Sequence, residues 1–281
     1  MISIVIPTFH RKENLLRLLK SLDKTSEIIV VEQGDNNERT FNKYINKYIY
    51  LSKISTPRAM NIGVRHAKNA LVLFLDDDTT AHKHLIKYHQ INFSDPRVAA
   101  TVGRVLTDGQ PIERYRQDTG RINKLGLFSN GYSSSIKQEV DTVIGANTCW
   151  RKSVYEEIGG MDERFTGNAL RLESDLSLRA RAAGYKIIFE PKAVVDHHRA
   201  QKGGARKSEG RLKWYFDFFS NETYFFLKHR SPILLPLMLC AKFMWALRCM
   251  FGFGREVSWK SMITPFDGIK DGCKKYYDYR R

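Results

Sequence analysis

The sequence predicts an α/β fold: a mostly parallel central sheet with helices on both faces, followed by a helical C-terminal extension. Three observations carry this expectation. Leu71 to Leu75 reads Leu-Val-Leu-Phe-Leu, an unbroken apolar run of the kind that fills a strand buried on both faces. Ile2 to Ile6 and Glu27 to Val31 have the same character, and helical stretches separate these runs. Each run also ends in polar residues, and ligands of open α/β sheets gather outside the carboxyl ends of the strands.

In chain order, Ile2 to Ile6 is the first strand, Pro7-Thr8-Phe9 its turn, and Leu15, Leu18, Leu19 and Leu22 form one stripe of the first helix. The second strand runs into the polar loop Glu32-Gln33-Gly34-Asp35-Asn36-Asn37. Ile49 to Leu51 reads as a short strand, and a helix starts near Pro57 with Ala59, Ile62, Gly63 and Ala67 on its packed side. Arg58 falls in its first turn. After the central strand, Leu85, Ile86 and Tyr88 mark a helix and Val98 to Val105 a strand. Leu106 to Asp141 is polar and too long for an ordinary connection, which points to a substrate-binding loop. Thr142 to Asn147 reads as a strand and Arg151 to Ile158 as a short helix stopped by Gly159-Gly160. Glu173-Ser174-Asp175 opens a helix expected to turn Leu176, Leu178, Ala182 and Ala183 inward. Tyr185 to Phe189 and Ala193 to Val195 read as edge strands leading into Asp196-His197-His198.

With 281 residues, 42% hydrophobic and 12% aromatic, the chain can bury a sizeable core. Met1 leads straight into the first strand without a basic or apolar leader, so a cytoplasmic protein is expected. Cys149, Cys240, Cys249 and Cys273 show no Cys-x-x-Cys spacing and read as free thiols. The net charge is +16, and Arg199 to Arg281 contribute +10 of it, with 17 Lys and Arg against 7 Asp and Glu. Such a bias implies a polyanionic partner: nucleic acid, anionic lipid or a phosphorylated substrate.

Asp76, Asp77 and Asp78 follow the central strand directly. Three adjacent carboxylates repel one another unless a cation or donors offset the charge, so a divalent metal is one reading and a solvated acidic turn the other. Carboxylates near a helix start, as at Glu173 and Asp175, are favoured by the helix dipole alone.

Four pieces now stand in order: Ser3-Ile4-Val5-Ile6-Pro7-Thr8, the strand ending Glu32-Gln33-Gly34, Phe74-Leu75-Asp76-Asp77-Asp78, and Gly159-Gly160-Met161-Asp162-Glu163-Arg164-Phe165 leading into Glu173-Ser174-Asp175-Leu176. Together they resemble the family 2 glycosyltransferases, inverting enzymes of the GT-A fold, over roughly Ile2 to Gly204. The resemblance implies a GT-A catalytic domain at 1–204 and a basic, aromatic extension at 205–281. It implies that Pro7, Thr8, Glu32, Gln33, Arg58, Asp76 and Asp77 bind the nucleotide, with Glu32 and Gln33 standing where members commonly have paired aspartates. Asp78 is then the first metal ligand, joined by Asp76 and by His197 or His198, with His198 preferred, and the ion is Mn²⁺ or Mg²⁺. Glu173 is the catalytic base, and Asp175 holds the helix start or the acceptor. Gly203-Gly204 with Arg206 and Lys207 reads as a closing loop over phosphates.

The implied donor is a UDP-, dTDP- or GDP-sugar and the implied acceptor a glycan or lipid-linked glycan of polysaccharide biosynthesis. In the extension, Trp214 to Phe219 and Tyr224 to Leu227 suggest an aromatic helix. The apolar run after Pro232 is too short to span a bilayer and suits its interface, with Trp245 and Phe243 in the acyl boundary, or a hairpin packed on protein. A peripheral position on the inner face of an anionic cytoplasmic membrane follows from the first option. Two other functions compete. A sugar-phosphate nucleotidyltransferase would carry a glycine-rich signature after the first strand, which Pro7-Thr8-Phe9-His10 lacks. A non-catalytic basic protein binding membrane or nucleic acid leaves the carboxylate cluster unexplained, and no nucleic acid is expected as a partner.

Overall fold

The computed structural model describes the chain apart from residues 24, 35–37, 201–203, 205–209 and 252–258. The side chains of 38–39, 211, 245–251 and 259–262 also lie outside the described residues, which removes Trp245, Cys249 and most of the 203–207 loop from view. Two compact units result. The first comprises Met1–Arg121, Ser129–Glu163 and Leu172–Ala205; the second comprises Ile122–Phe128, Arg164–Arg171 and Arg206–Arg281.

The first unit is built on a nine-stranded mixed sheet. Its strands are β1 (Ile2–Phe9), β2 (Glu27–Gln33), β3 (Lys47–Leu51), β4 (Leu71–Leu75), β5 (Thr79–Ala81), β6 (Val98–Thr107), β7 (Gln138–Glu139), β8 (Asn147–Arg151) and β9 (Lys186–His197), in the order β3-β2-β1-β4-β8-β6-β9-β5 with β7 also paired to β9. β3, β2, β1 and β4 run parallel, β8 is antiparallel to both its neighbours, and β6 and β9 are parallel. The apolar runs that announce β1, β2 and β4 are buried on both faces. α1 (Lys12–Ser21) lays Leu15, Leu18 and Leu19 on the sheet, and α2 (Glu38–Phe41) adds the buried Phe41. α3 (Thr56–His66) approaches β1 so closely that a methyl group on Gly63 would overlap Val5. α4 (Leu85–Gln90), α5 (Lys152–Glu157) and α6 (Leu172–Ala182) complete the unit.

Three expectations are corrected. The strand expected at 142–147 begins at Asn147 instead, and residues 142–146 form an irregular approach to it. Residues 186–197 form one strand inside the sheet rather than two edge strands. Pro191 is absorbed by a register shift, because Gly103 faces Glu190 while the next residue, Arg104, faces Val194. The bulge leaves proline's missing donor off the ladder. On α6, Ala182 and Ala183 are exposed; the buried face runs through Leu172, Leu176 and Ala180 and includes Ser174, Asp175 and Ser177. Polar groups hold that face: Thr142 Oγ1 donates to Ser174 Oγ at 2.9 Å, and Ser177 Oγ to the Glu173 carbonyl at 2.6 Å.

In the second unit, α7 (Gly210–His229), α8 (Leu235–Phe251) and α9 (Trp259–Arg280) pack with an unusually polar interior. Asp217, Ser220, Asn221, Glu222 and Thr223 of α7 are all buried. α9 meets α7 through Gly268 and Gly272, where a methyl would lie 2.5 Å from the Phe216 and Ser220 carbonyls. The rings of Phe165 and Tyr224 lie 5.2 Å apart, tilted at 55° to each other. Among the described residues, no helix is long and apolar enough to cross a membrane.

Candidate active site at the carboxyl ends of β1, β4 and β9

β4 delivers the three aspartates to different surroundings. Asp77 turns under the end of β1, where Thr8 Oγ1 donates to its Oδ2 at 2.7 Å and Arg11 Nη1 to its Oδ1 at 2.9 Å. Burial pushes its carboxyl up to about 6, against the opposing pull of Arg11 and Thr8. Asp78 is also buried, yet its carboxyl is held well below the usual range. Its burial penalty is outweighed by His197, by the Ala200 amide at 2.9 Å from Oδ2, and by Arg11 at 3.2 Å. Asp78 Oδ1 lies 3.2 Å from His197 Nε2 as an ion pair but receives no aligned hydrogen bond. Asp76 is half-buried, and its carbonyl accepts from Thr79 Oγ1 at 2.7 Å, closing the turn into β5.

Ligand atoms of Asp76, Asp78 and His197 lie within 4.8 Å of one another. Two carboxylates and an imidazole, with one buried carboxylate oxygen lacking an aligned donor, make a donor set that fits a hard divalent ion with open positions for phosphate and water. The neighbouring histidine is turned elsewhere, contrary to the preference for it. His198 Nε2 is 2.8 Å from Thr80 Oγ1 and its Nδ1 3.0 Å from Asp108. β9 ends at His197, opposite Thr79, and past it His198 N donates to the Asp78 carbonyl at 3.0 Å while the His198 side chain turns to Thr80 and Asp108. His197 is held more basic than an ordinary histidine because Asp78 and Asp76 outweigh the cost of its burial.

The other expected residues have distinct placements. Glu32 is buried and accepts from Tyr48 Oη at 2.7 Å, while Gln33 Oε1 accepts from the Ser55 amide at 2.6 Å, tying β2 to the start of α3. Pro7 is half-buried at the end of β1, and Arg58 is exposed on the first turn of α3. On α6, Glu173 faces the aspartates. A methyl group built on Gly145 would lie 2.6 Å from Glu173 Oε1 and 3.8 Å from Asp76 Oδ1, so both carboxylates look onto the same glycine. Asp175 points away from them. It is fully buried and accepts from Arg179 Nε at 2.9 Å and Nη2 at 2.7 Å, and Arg179 in turn donates to the carbonyls of Ile158 and Gly160.

Arg11 escaped the reading of the sequence. It bridges Asp77 and Asp78 from the loop after β1, and Gly204 packs against its guanidinium closely enough that any side chain there would overlap it. Asn61 is a second omission. Its Oδ1 accepts from Tyr155 Oη and the Met161 amide, both at 2.8 Å, and its Nδ2 donates to Glu163 at 3.1 Å, pinning the loop after Gly160. The one available signal for Arg11 was a cation just past a strand whose carboxyl end lies on the same sheet edge as Asp76, Asp77 and Asp78.

Comparison with known proteins agrees with this architecture. The family described as "Glycosyl transferase family 2" matches residues 3–159, more than half of the chain, and the chain belongs to that family. It is 26% identical over 282 residues to the O-antigen chain rhamnosyltransferase RfbN of Salmonella typhimurium, covering 86% of each protein. It is 24% identical over 214 residues to the probable glycosyltransferase YdaM of Bacillus subtilis, covering 69% of this chain and spanning only 50% of that relative. Among solved structures, TarS of S. aureus in complex with UDP-GlcNAc superposes with a TM-score of 0.59 at 14% identity, covering 98% of this chain and 81% of that one. The mannosyltransferase PcManGT of Pyrobaculum calidifontis, in complex with GDP-Man and Mn²⁺, gives 0.56 at 13% identity, covering 100% and 88%. GalNAc-T7 with UDP, GalNAc and Mn²⁺ gives 0.58 at 16% identity, covering 81% of this chain and 50% of that one. These neighbours share the GT-A fold.

Proposed function

We propose that the chain is a metal-dependent inverting glycosyltransferase that moves a sugar from a nucleotide-sugar donor to a glycan or lipid-linked glycan acceptor, in polysaccharide biosynthesis at the cytoplasmic face of a membrane. The observation that carries this reading is the pair of carboxylates meeting at Gly145: Asp76 from the metal-type cluster and Glu173 from α6. One side of that space suits a diphosphate leaving group and the other a base. RfbN, a rhamnosyltransferase related along most of its length, supports a glycan acceptor.

In this reading Asp76, Asp78 and His197 hold Mn²⁺ or Mg²⁺, which when bound neutralises the departing nucleoside diphosphate. The nucleotide lies along the ends of β1 and β2, against Pro7, Thr8, Glu32, Gln33 and Arg58. Asp77 keeps the Thr8 and Arg11 side chains in place and is the ribose contact. Inversion requires the acceptor hydroxyl to attack from the side opposite the leaving group, with its proton taken as the bond forms. Glu173 takes that proton on Oε1 or Oε2. Asp175 acts through Arg179, which fixes α6 against the Gly159–Gly160 turn and so sets where Glu173 stands.

The test is a thermal-shift panel of the purified chain with UDP, GDP, dTDP and CDP, with and without Mn²⁺ or Mg²⁺, followed by sugar transfer in the Glu173→Gln variant. Metal-dependent stabilisation by one nucleotide, retained in Glu173→Gln while transfer is lost, is the expected result. Stabilisation by no nucleotide in any metal condition overturns the donor assignment, and undiminished transfer by Glu173→Gln overturns the base.

A further inference from the structure

α8 and the short turn before it expose an apolar side while their lysine is buried. Among the described residues the exposed positions are Pro232, Ile233, Pro236, Leu237, Cys240 and Met244, and none carries a charge. Ile233 is 83% exposed, Leu237 55% and Met244 68%. The single charged residue of α8 up to that point, Lys242, is turned inward. Its Nζ donates to Glu222 Oε1 at 2.9 Å, and the same oxygen accepts from the buried Arg171 at 2.9 Å. A surface helix in water puts its lysine outside and its leucines inside. Here the polar contact is spent on the interior and the apolar side chains are left out.

The apolar surface continues onto α9. Phe243 and Phe266 rings lie 5.3 Å apart, Phe266 is 55% exposed, and Ile263 is exposed one turn before it. Further along that side of α9 come the exposed Lys270 and Lys274, Tyr277, Arg280 and Arg281, together with the exposed Asp267 and Asp278, so four cations stand against two carboxylates. An apolar patch whose border carries a surplus of cations and an aromatic matches an anionic bilayer surface, with the apolar face among the acyl chains and the cations at the head groups. Depth is limited by length, since 17 residues of α-helix extend about 25 Å against a hydrocarbon core of about 30 Å.

We infer that the exposed face of α8, with Phe266 of α9, is a membrane-docking surface that lies in the interface of an anionic bilayer. This deepens the reading of a lipid-linked acceptor and rests on it for its purpose, because docking brings the enzyme to the surface where such an acceptor is held.

Flotation of the full chain with vesicles of phosphatidylethanolamine and phosphatidylglycerol, and with neutral phosphatidylcholine vesicles as comparison, tests it. The wild-type chain is expected to float with the anionic vesicles. Leu237→Glu/Met244→Glu should reduce partitioning at least tenfold, with its melting temperature and metal-dependent nucleotide stabilisation unchanged. Lys270→Glu/Lys274→Glu should weaken binding at low salt and lose that effect at high salt. A wild-type chain that stays with the unbound fraction for both vesicle types overturns the inference, as does a Leu237→Glu/Met244→Glu variant that floats like wild type. A wild-type dimer that this variant splits, without any vesicle binding, also overturns it and assigns the face to a second copy of the chain. Loss of nucleotide stabilisation with vesicle binding intact instead breaks the catalytic reading alone.

Discussion

Gly145→Ala isolates the geometry of the proposed base without altering any charge. Gly145 is absent from the glycines with positive φ, so alanine meets no backbone strain and only the new methyl group acts. That methyl lies 2.6 Å from Glu173 Oε1, where an ordinary carbon–oxygen contact needs about 3.3 Å, so the carboxylate must withdraw by roughly 0.7 Å. The end of a glutamate side chain can make that move at a cost of about 0.5–1.5 kcal/mol in rotamer energy. Reduced freedom of the unfolded chain returns about 0.4–1 kcal/mol, leaving stability almost unchanged. Catalysis is less forgiving, because a misplacement of about 1 Å costs up to ~100-fold, or about 2.7 kcal/mol of barrier. Asp76 Oδ1, at 3.8 Å, stays in ordinary contact, so nucleotide and metal binding should persist.

The assay is paired: initial rates of sugar transfer, and the thermal shift given by the stabilising nucleotide with Mn²⁺. Gly145→Ala should lose ten- to a hundred-fold in kcat and keep the thermal shift, whereas Glu173→Gln should lose about 10²–10⁴-fold. Full turnover in Gly145→Ala would refute the argument that Glu173 works from its position beside Gly145. Loss of the nucleotide shift would show that the methyl disturbs the donor side instead.

Other outcomes follow from the same contacts. Asp78→Ala should erase the metal-dependent part of the nucleotide shift, worth about 2.7 kcal/mol at a ligand concentration 100 times Kd; a shift equal to wild type would remove Asp78 from the metal set. Glu222→Gln leaves the Arg171 and Lys242 cations buried together without their shared counter-charge and should cost about 3–5 kcal/mol in chemical denaturation, while Lys242→Met, which keeps the Arg171–Glu222 pair, should cost far less. Equal losses in the two variants would contradict that account. His89 is fully buried between Thr101 and Asn147, and burial lowers its pKa to about 4, against the support of Asn147 and Glu190. The unfolded chain therefore takes up a proton below about 6.5 while the folded chain stays neutral to about 4. Stability should fall by about 3 kcal/mol as pH drops across that window. The gap between wild type and His89→Gln should narrow between pH 7 and pH 4.5, and a gap that stays constant would assign the acid sensitivity to other groups.

What could be read from the sequence was what local chemistry decides. β1, β2 and β4 were legible because a strand buried on both faces must be apolar throughout, and the acids after β4 were legible because nothing nearby in sequence neutralises them. Errors arose where a distant partner decides. Residues 185–189 and 193–195 read as two strands, yet β9 runs through Pro191 by leaving residues 191–193 out of the ladder between Gly103 and Arg104. Arg11 carries no motif and acquires its meaning from carboxylates 66 and 67 positions away.

The choice between Glu173 and Asp175 could have been narrowed without a structure. Two residues apart on a helix, they are about 200° apart in rotation and cannot both address one site. Asp175 has an arginine four residues on, at the spacing where helical side chains pair, and Glu173 has Ser177 there. A carboxylate that meets its counter-ion within its own helix is neutralised wherever that helix lies, and this is the arrangement found for Asp175 and Arg179. Glu173, on the other side of the helix, is the one of the two that looks onto Gly145 and Asp76, as the proposed role requires.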